Sequence, residues 1–133
     1  MNTAVFYGIE DLRIEECPLP EVSENKILIK IEACALCTWE QRVYTGVKKV
    51  DYPFIGGHEI AAEIVALGNK IDPTKWQIGD KVVFGTNLAC GDCDFCKSGE
   101  EQNCIDFNHS KHLEGLPHKG MGGLSEYMLV EPQ

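Results

Sequence analysis

The sequence lacks the features of membrane-spanning, secreted and nucleic-acid-binding chains. No apolar run approaches the roughly 20 residues that a helix needs to cross a bilayer. Residues 1–10 contain no basic segment followed by a long apolar core, so we expect no secretory signal. Lys and Arg number 12 against 21 Asp and Glu, which gives a formal net charge of −9. Because such a surface repels a phosphate backbone, we expect no binding to nucleic acid, and the lack of a long apolar run predicts no membrane association. Seven cysteines without a secretory signal indicate a reducing, cytoplasmic location.

Helical periodicity is also scarce, and short β-prone runs take its place. Residues 26–33 are the clearest strand, because Ile27, Ile29 and Ile31 alternate with polar or smaller residues. Further strands are predicted at 3–6, 12–15, 60–67, 82–84 and 125–130, with one helical fragment at 38–43. Turns rich in Gly, Pro and Asp separate these runs. A chain of 133 residues is long enough for one domain with a core, and the pattern predicts a mainly β barrel or sandwich.

Four of the seven cysteines lie close together in the second half of the chain. They are Cys90, Cys93, Cys96 and Cys104. Two residues between successive cysteines allow the thiolates to turn back onto one ion, and four thiolates close a tetrahedron around Zn²⁺ at about 2.3 Å. No coordination position is left open, so we predict a structural site. Iron is the alternative metal, and disulfides are not expected in a reducing compartment.

A second pair of candidate ligands lies earlier in the chain. Cys37 follows the clearest strand, and His58 stands in the glycine-flanked segment Gly57-His58-Glu59. Zn²⁺ binds both residue types. From the residues alone other interpretations stay open, because His58 can be an ordinary core or surface residue and Cys37 a small buried apolar one. Cys34 and Cys37 also form a Cys-x-x-Cys pair, which can act as a redox dithiol, although the alternation of the strand points Cys34 toward the core.

The order of these motifs resembles a known family. A strand ends at Cys37; Gly57-His58-Glu59, a short strand at 82–84, the four-cysteine loop and a glycine-rich segment at 122–127 follow. This resembles the catalytic domain of zinc-dependent medium-chain alcohol dehydrogenases. The resemblance implies a GroES-like, partly open barrel over residues 1–133, with short helices and an inserted zinc-binding lobe at about residues 88–106.

The resemblance also implies roles for individual residues. The structural zinc would be bound by Cys90, Cys93, Cys96 and Cys104. Cys37 and His58 would hold the catalytic zinc, with Glu59 close to the metal. The family usually carries a hydroxyl residue two positions after the catalytic cysteine, where it relays the alcohol proton. This chain has Trp39 there, so Thr38 is the nearest candidate relay.

The cofactor and substrate follow from the same resemblance. They are NAD or NADP and a small alcohol, polyol or aldehyde, in a parent enzyme that is expected to be a homo-oligomer. The Gly-x-Gly-x-x-Gly turn of a dinucleotide-binding domain is not found, since the glycine-rich segment at 120–123 has another spacing and precedes a strand. We therefore expect a catalytic-domain fragment that is inactive alone. The alternative is a free-standing zinc-binding structural or interaction module without dehydrogenase activity.

Overall fold

The computed structural model describes residues 1–85, 89–105 and 112–132. Within them the strands are β1 (Asn2–Gly8), β2 (Asp11–Glu16), β3 (Ile27–Cys34), β4 (Glu59–Leu67), β5 (Lys81–Gly85) and β6 (Tyr127–Val130). The helices are α1 (Thr38–Tyr44) and α2 (Asp94–Lys97), with a 3₁₀ turn at Glu101–Asn103. The mainly β prediction is therefore confirmed. None of the helices in these ranges is long and apolar enough to span a bilayer.

The strands form a hairpin and a four-stranded sheet. β1 pairs with β2, and the larger sheet has the antiparallel order β5-β4-β3-β6. Strand β3 lies inside this sheet, so Ile29 pairs with Ile64 of β4 on one side and with Met128 of β6 on the other. All three side chains are buried in the main core cluster. The hairpin joins that core through Val5.

The predicted alternation of β3 holds only in part. Ile27 and Ile29 are buried as expected, but Leu28 between them is also buried, at 5 % exposure, and Ile31 is only partly buried. The register of β3 against β4 shifts between Leu28 and Ile29 and again after Ile31. A bulge of this kind re-aims side chains and breaks the two-residue period, which is why strict alternation failed here.

Three segments meet at one end of the sheet, and two of them carry the candidate ligands Cys37 and His58. The three segments are the end of β3 with the start of α1, the turn before β4, and the segment before β6. The turn before β4 is held by the segment before β6, because the Gly57 carbonyl accepts a hydrogen bond from the Gly123 N–H at 3.0 Å. Gly57 has φ +90°, and a Cβ there would lie 2.6 Å from the Gly123 carbonyl carbon and from the Leu124 nitrogen. Only glycine fits this position without moving backbone.

Candidate metal centres

The four cysteines converge in a lobe between β5 and β6. Cys93 is the N-cap residue of α2, Cys96 lies within that helix, and Cys104 follows the 3₁₀ turn. The four Sγ atoms lie within 4.8 Å of one another. The Cys93–Cys96 and Cys90–Cys96 Sγ distances are 3.5 and 3.9 Å, and a zinc tetrahedron with bonds of about 2.3 Å has sulfur–sulfur edges of about 3.8 Å. The cluster fits zinc, although residues 88 and 106, the expected ends of the lobe, lie outside the described ranges.

Backbone N–H groups of the lobe favour the thiolate form of Cys90 and Cys93. The N–H groups of Asp92 and Cys93 point at Cys90 Sγ, at 3.5 and 3.3 Å, and lower the pKa of that thiol. The N–H groups of Cys96 and Ile105 lower the pKa of Cys93 to about 6. Donors aimed at sulfur stabilise its charged form, and the thiolate is the form that binds a metal. Burial and the hydrogen bond with Cys93 raise the pKa of Cys96 to about 12, so the backbone of the loop favours negative sulfur at Cys90 and Cys93.

A second cluster forms where α1 meets the turn before β4. Cys37 is the N-cap residue of α1, and its Sγ accepts a hydrogen bond from the Trp39 N–H. The Cys37 Sγ and His58 Nε2 atoms are 3.4 Å apart, and in tetrahedral zinc coordination a sulfur and a nitrogen ligand are separated by about 3.5 Å. Glu59, the first residue of β4, brings a carboxylate oxygen within 4.8 Å of both. The structure thus unites three predicted site residues as potential metal donors.

Glu40 organises this cluster, and the sequence analysis did not assign it a role in the site. Its carboxylate is buried, with 2 % of the residue exposed. Oε1 accepts hydrogen bonds from His58 Nδ1 at 2.8 Å and from the Gly57 N–H at 3.1 Å, while Oε2 accepts from the Cys37 N–H at 3.3 Å. Burial raises the pKa of Glu40, but the hydrogen bonds from Cys37 and Gly57 outweigh it and leave that pKa below its ordinary value.

The contact with Glu40 decides which nitrogen of His58 can face a metal. An ionised carboxylate only accepts hydrogen bonds, so His58 Nδ1 must carry the proton in this contact. The lone pair of Nε2 is then free to coordinate on the side where Cys37 Sγ lies. A histidine held by a carboxylate in this way is the usual second layer of a zinc site.

Position 39 places an aromatic ring beside the cluster. The indole of Trp39 meets the His58 ring edge-on, with centroids 6.2 Å apart, and packs on Phe54 at 5.6 Å. Thr38 is the first residue of α1 and is exposed, so its role as a relay stays a prediction. Cys34 is partly buried against the core, and burial raises the pKa of its thiol.

With this geometry established, the comparison with protein families decides the family. The model described as "Alcohol dehydrogenase GroES-like domain" matches residues 23–133. The chain belongs to this family. The resemblance and the GroES-like fold that the sequence predicted are therefore confirmed.

This GroES-like domain is similar to about a third of the length of several enzymes. It is 36 % identical to a sorbitol dehydrogenase of Bacillus subtilis (strain 168) over 110 residues, which cover 80 % of this chain and 31 % of that protein. It is 32 % identical to a formaldehyde dismutase of Pseudomonas putida over 140 residues, covering 97 % of this chain and 35 % of that protein. The chain thus spans about a third of the length of the curated relatives that it matches.

Solved structures give the same relationship. The galactitol-1-phosphate dehydrogenase of Escherichia coli superposes with a TM-score of 0.79 at 25 % identity, covering 98 % of this chain and 36 % of that one. The CAD protein of Helicobacter pylori, complexed with NADP(H), gives a TM-score of 0.76 at 28 % identity, with 98 % and 39 % covered. The GroES-like domain is therefore homologous to part of zinc alcohol and polyol dehydrogenases of the medium-chain type.

Proposed function

We propose that this GroES-like domain holds two zinc ions and supplies the metal site of an NAD- or NADP-linked alcohol, polyol or aldehyde dehydrogenase. The observation that carries the proposal is the approach of Cys37 Sγ to His58 Nε2, at 3.4 Å, with the histidine oriented by the buried carboxylate of Glu40. A purely structural zinc module has no use for a second donor set that leaves coordination positions open.

The first ion would be structural. It would be held by the four thiolates of Cys90, Cys93, Cys96 and Cys104, which converge within 4.8 Å and leave no position for a substrate. Iron accepts the same donors, so the metal content must be measured. The proposed role of this ion is to fold the lobe between β5 and β6.

The second ion would be catalytic, and this chain would supply at least two of its ligands. Cys37 would bind through Sγ and His58 through Nε2, while Glu40 keeps the imidazole in the required orientation. When bound, zinc supplies Lewis-acid chemistry, which lowers the pKa of an alcohol's proton. Glu59 is exposed at the edge of the cluster and is proposed as a carboxylate that approaches the metal during ligand exchange. Thr38, which is exposed, is proposed as the relay hydroxyl that accepts the released proton and passes its own proton on to solvent.

The nicotinamide cofactor would be bound by another domain of the parent enzyme. The glycine-rich segment 120–123 of this chain pairs with the turn before β4, through the Met121 N–H and Ile55 carbonyl at 2.7 Å and the Gly123 N–H and Gly57 carbonyl at 3.0 Å. The Gly122 N–H also bonds the Ile55 carbonyl, at 3.3 Å, so the N–H groups of Met121, Gly122 and Gly123 are engaged in the fold. We propose a cytoplasmic, homo-oligomeric parent in which hydride passes between substrate and cofactor held at the domain boundary.

Metal content tests the proposal directly. Reduced, zinc-replete protein is expected to contain two zinc ions per chain, and His58→Ala one, by elemental analysis for zinc and iron. His118→Ala is the matched control, because His118 is bonded to Glu15 and should keep both ions. One zinc per chain that His58→Ala leaves unchanged would contradict the proposal and favour the structural-module alternative.

Turnover by the isolated chain tests the proposal that another domain binds the cofactor. The 133-residue chain is expected to show no NAD- or NADP-linked oxidation of ethanol, benzyl alcohol or sorbitol, because no partner holds the cofactor against the metal site. Oxidation of any of these alcohols by the isolated chain, at a rate that His58→Ala abolishes, would contradict the proposal that another domain binds the cofactor.

A further inference from the structure

Trp39 is fixed against the Cys37–His58 cluster at both its backbone and its ring. Its N–H donates to Cys37 Sγ at 3.2 Å, as part of the cap that starts α1. Its indole stands nearly perpendicular to the imidazole of His58, at an interplanar angle of 78°. Phe54, which is fully buried, supports the ring from behind. The indole therefore lines one side of the Cys37–His58 cluster, and these contacts hold its position.

The side chains that pack together with Trp39 are mainly apolar. The small core cluster under it contains Phe6, Val43, Phe54 and Met121, and the partly buried side chains around it are Val50, Tyr52 and Leu124. The hydroxyl of Tyr52 already donates to the Val43 carbonyl at 3.1 Å. This wall, defined here as Trp39 with the partly buried Val50, Tyr52 and Leu124, therefore offers a ligand mainly apolar contact, while Phe54 lies fully buried beneath it.

Such a wall discriminates between kinds of alcohol. A hydroxyl group that is moved from water onto a carbon surface loses its hydrogen bonds without replacement, which is unfavourable. An aliphatic chain or aromatic ring in the same place gains from burial in proportion to its apolar area. A polyol carries a hydroxyl on each carbon next to the reacting one, so it meets this penalty directly, whereas a simple alcohol does not.

We propose that Trp39 is the specificity-determining residue of this site, and that it selects alcohols and aldehydes with an apolar chain or ring next to the reacting carbon over polyols. The inference rests on the proposed function, because it needs a metal at Cys37 and His58. It narrows that function, since a sorbitol dehydrogenase is among the relatives of this chain.

Two metal-binding probes that differ only in their tail test the wall. Acetohydroxamate and hexanohydroxamate share one head group, so the ratio of their affinities reports on what the tail touches. We expect hexanohydroxamate to bind the cobalt-substituted chain about tenfold more tightly, from partial burial of its extra methylene groups. Binding would be followed by the change in the visible cobalt spectrum when the probe is added. The closed four-cysteine site has no open position for a probe, so it does not contribute to that change. His58→Ala should show no such change.

Substitutions at position 39 test whether Trp39 causes the preference for the longer tail. Trp39→Ser should reduce it to less than about threefold, because the apolar contact is removed, while Trp39→Phe should retain most of it. In Trp76→Phe protein, where Trp39 is the remaining tryptophan, hexanohydroxamate should shift the emission more than acetohydroxamate does. If Trp39→Ser fails to fold, this emission measurement still tests the proposal. Equal emission shifts with both probes would show that the tail does not contact Trp39.

The outcomes separate this inference from the proposed function. Two cobalt ions per chain with no preference for the longer tail, or with a preference that Trp39→Ser leaves intact, would overturn the role of Trp39 and leave the metal site standing. One cobalt ion per chain, unaffected by His58→Ala, would refute the proposed function and the inference with it. Two ions with a tail preference that Trp39→Ser removes would support both.

Discussion

At the scale of single residues, one buried carboxylate connects the parts of the candidate catalytic centre. Glu40 takes hydrogen bonds from the start of its own helix, at Cys37, and from the turn before β4, at Gly57 and His58. These segments are 17 to 21 residues apart in sequence. A buried carboxylate whose oxygens are hydrogen-bonded holds its donors in fixed positions. Glu40 is thus a positioning residue for both proposed ligands.

Replacing Glu40 with Gln is expected to weaken the second metal without unfolding the domain. The amide keeps the size of the side chain but has one acceptor oxygen, so the donors of Cys37, Gly57 and His58 cannot all be satisfied. Loss of such a carboxylate typically lowers metal affinity by about 10- to 100-fold. Competition with a chromogenic chelator would measure it. Glu126→Gln, at an exposed carboxylate that bonds the Asn2 N–H, is the control, and equal affinities in both variants would exclude this role.

The sequence contains a capping-box spacing that involves Glu40, and it was recognised only once the structure was known. Glu40 follows Cys37 by three residues, which is the spacing of a capping box, and the structure shows both bonds of that box. Capping boxes are normally recognised by Ser or Thr at the first position, so a cysteine there hid the pattern. The contact with His58 depends on how α1 packs against the turn before β4, and local sequence does not determine that packing. Ligand types were predictable, and their geometry was not.

At the scale of elements, the prediction worked best where local pattern and tertiary packing agree. The strand at 60–67 was placed to within a residue of β4 (Glu59–Leu67), because one face of the strand is core and the other is not. The predicted start of α1 at Thr38 was also correct. The helix α2 (Asp94–Lys97) was not predicted. It has four residues, too few to show a helical period, and the positions of Cys93 and Cys96 dictate its shape.

The four-cysteine lobe is expected to fold only with its metal. Within its described part, residues 89–105, only Cys104 is buried. Burial of apolar area therefore contributes little to the stability of the lobe. Binding of a structural zinc by small domains is worth about 10 kcal/mol or more in apparent free energy, and that energy would supply the stability of the lobe.

Cys93→Ser should therefore release one zinc and disorder the lobe while the sheet survives. Hydrogen exchange would show it as rapid exchange at residues 90–104 with unchanged protection in β3 and β4. Cys17→Ser, at a cysteine far along the chain from the lobe, is the control and should leave both patterns unchanged. Full zinc content with an unchanged lobe in Cys93→Ser would show that Cys93 is not a ligand.

At the scale of the whole molecule, the fold extends beyond the segment that the family model matches. That match begins at residue 23, yet the preceding hairpin of β1 and β2 closes the core. Phe6 is buried at 3 % exposure, and its backbone N–H and carbonyl both bond Phe54, at 2.8 and 2.9 Å. The Ala4 N–H bonds the Leu124 carbonyl at 2.7 Å. Phe54 and Leu124 both belong to the cluster that packs with Trp39, so the hairpin supports the candidate site as well as the core.

A matched pair of substitutions in the hairpin tests this role. Phe6 and Leu12 are direct partners across β1 and β2, but Leu12 is 46 % exposed. Phe6→Ala should lower the free energy of unfolding by about 3–5 kcal/mol, because it leaves a cavity under Phe54, whereas Leu12→Ala should cost less than about 1 kcal/mol, as is usual near the surface. Urea titration of zinc-replete protein measures both. Equal and small losses would mean that the hairpin is an appendage, and the functional domain would then begin at residue 23, where the family match begins. A large loss confined to Phe6→Ala would show that the hairpin is part of the folded domain.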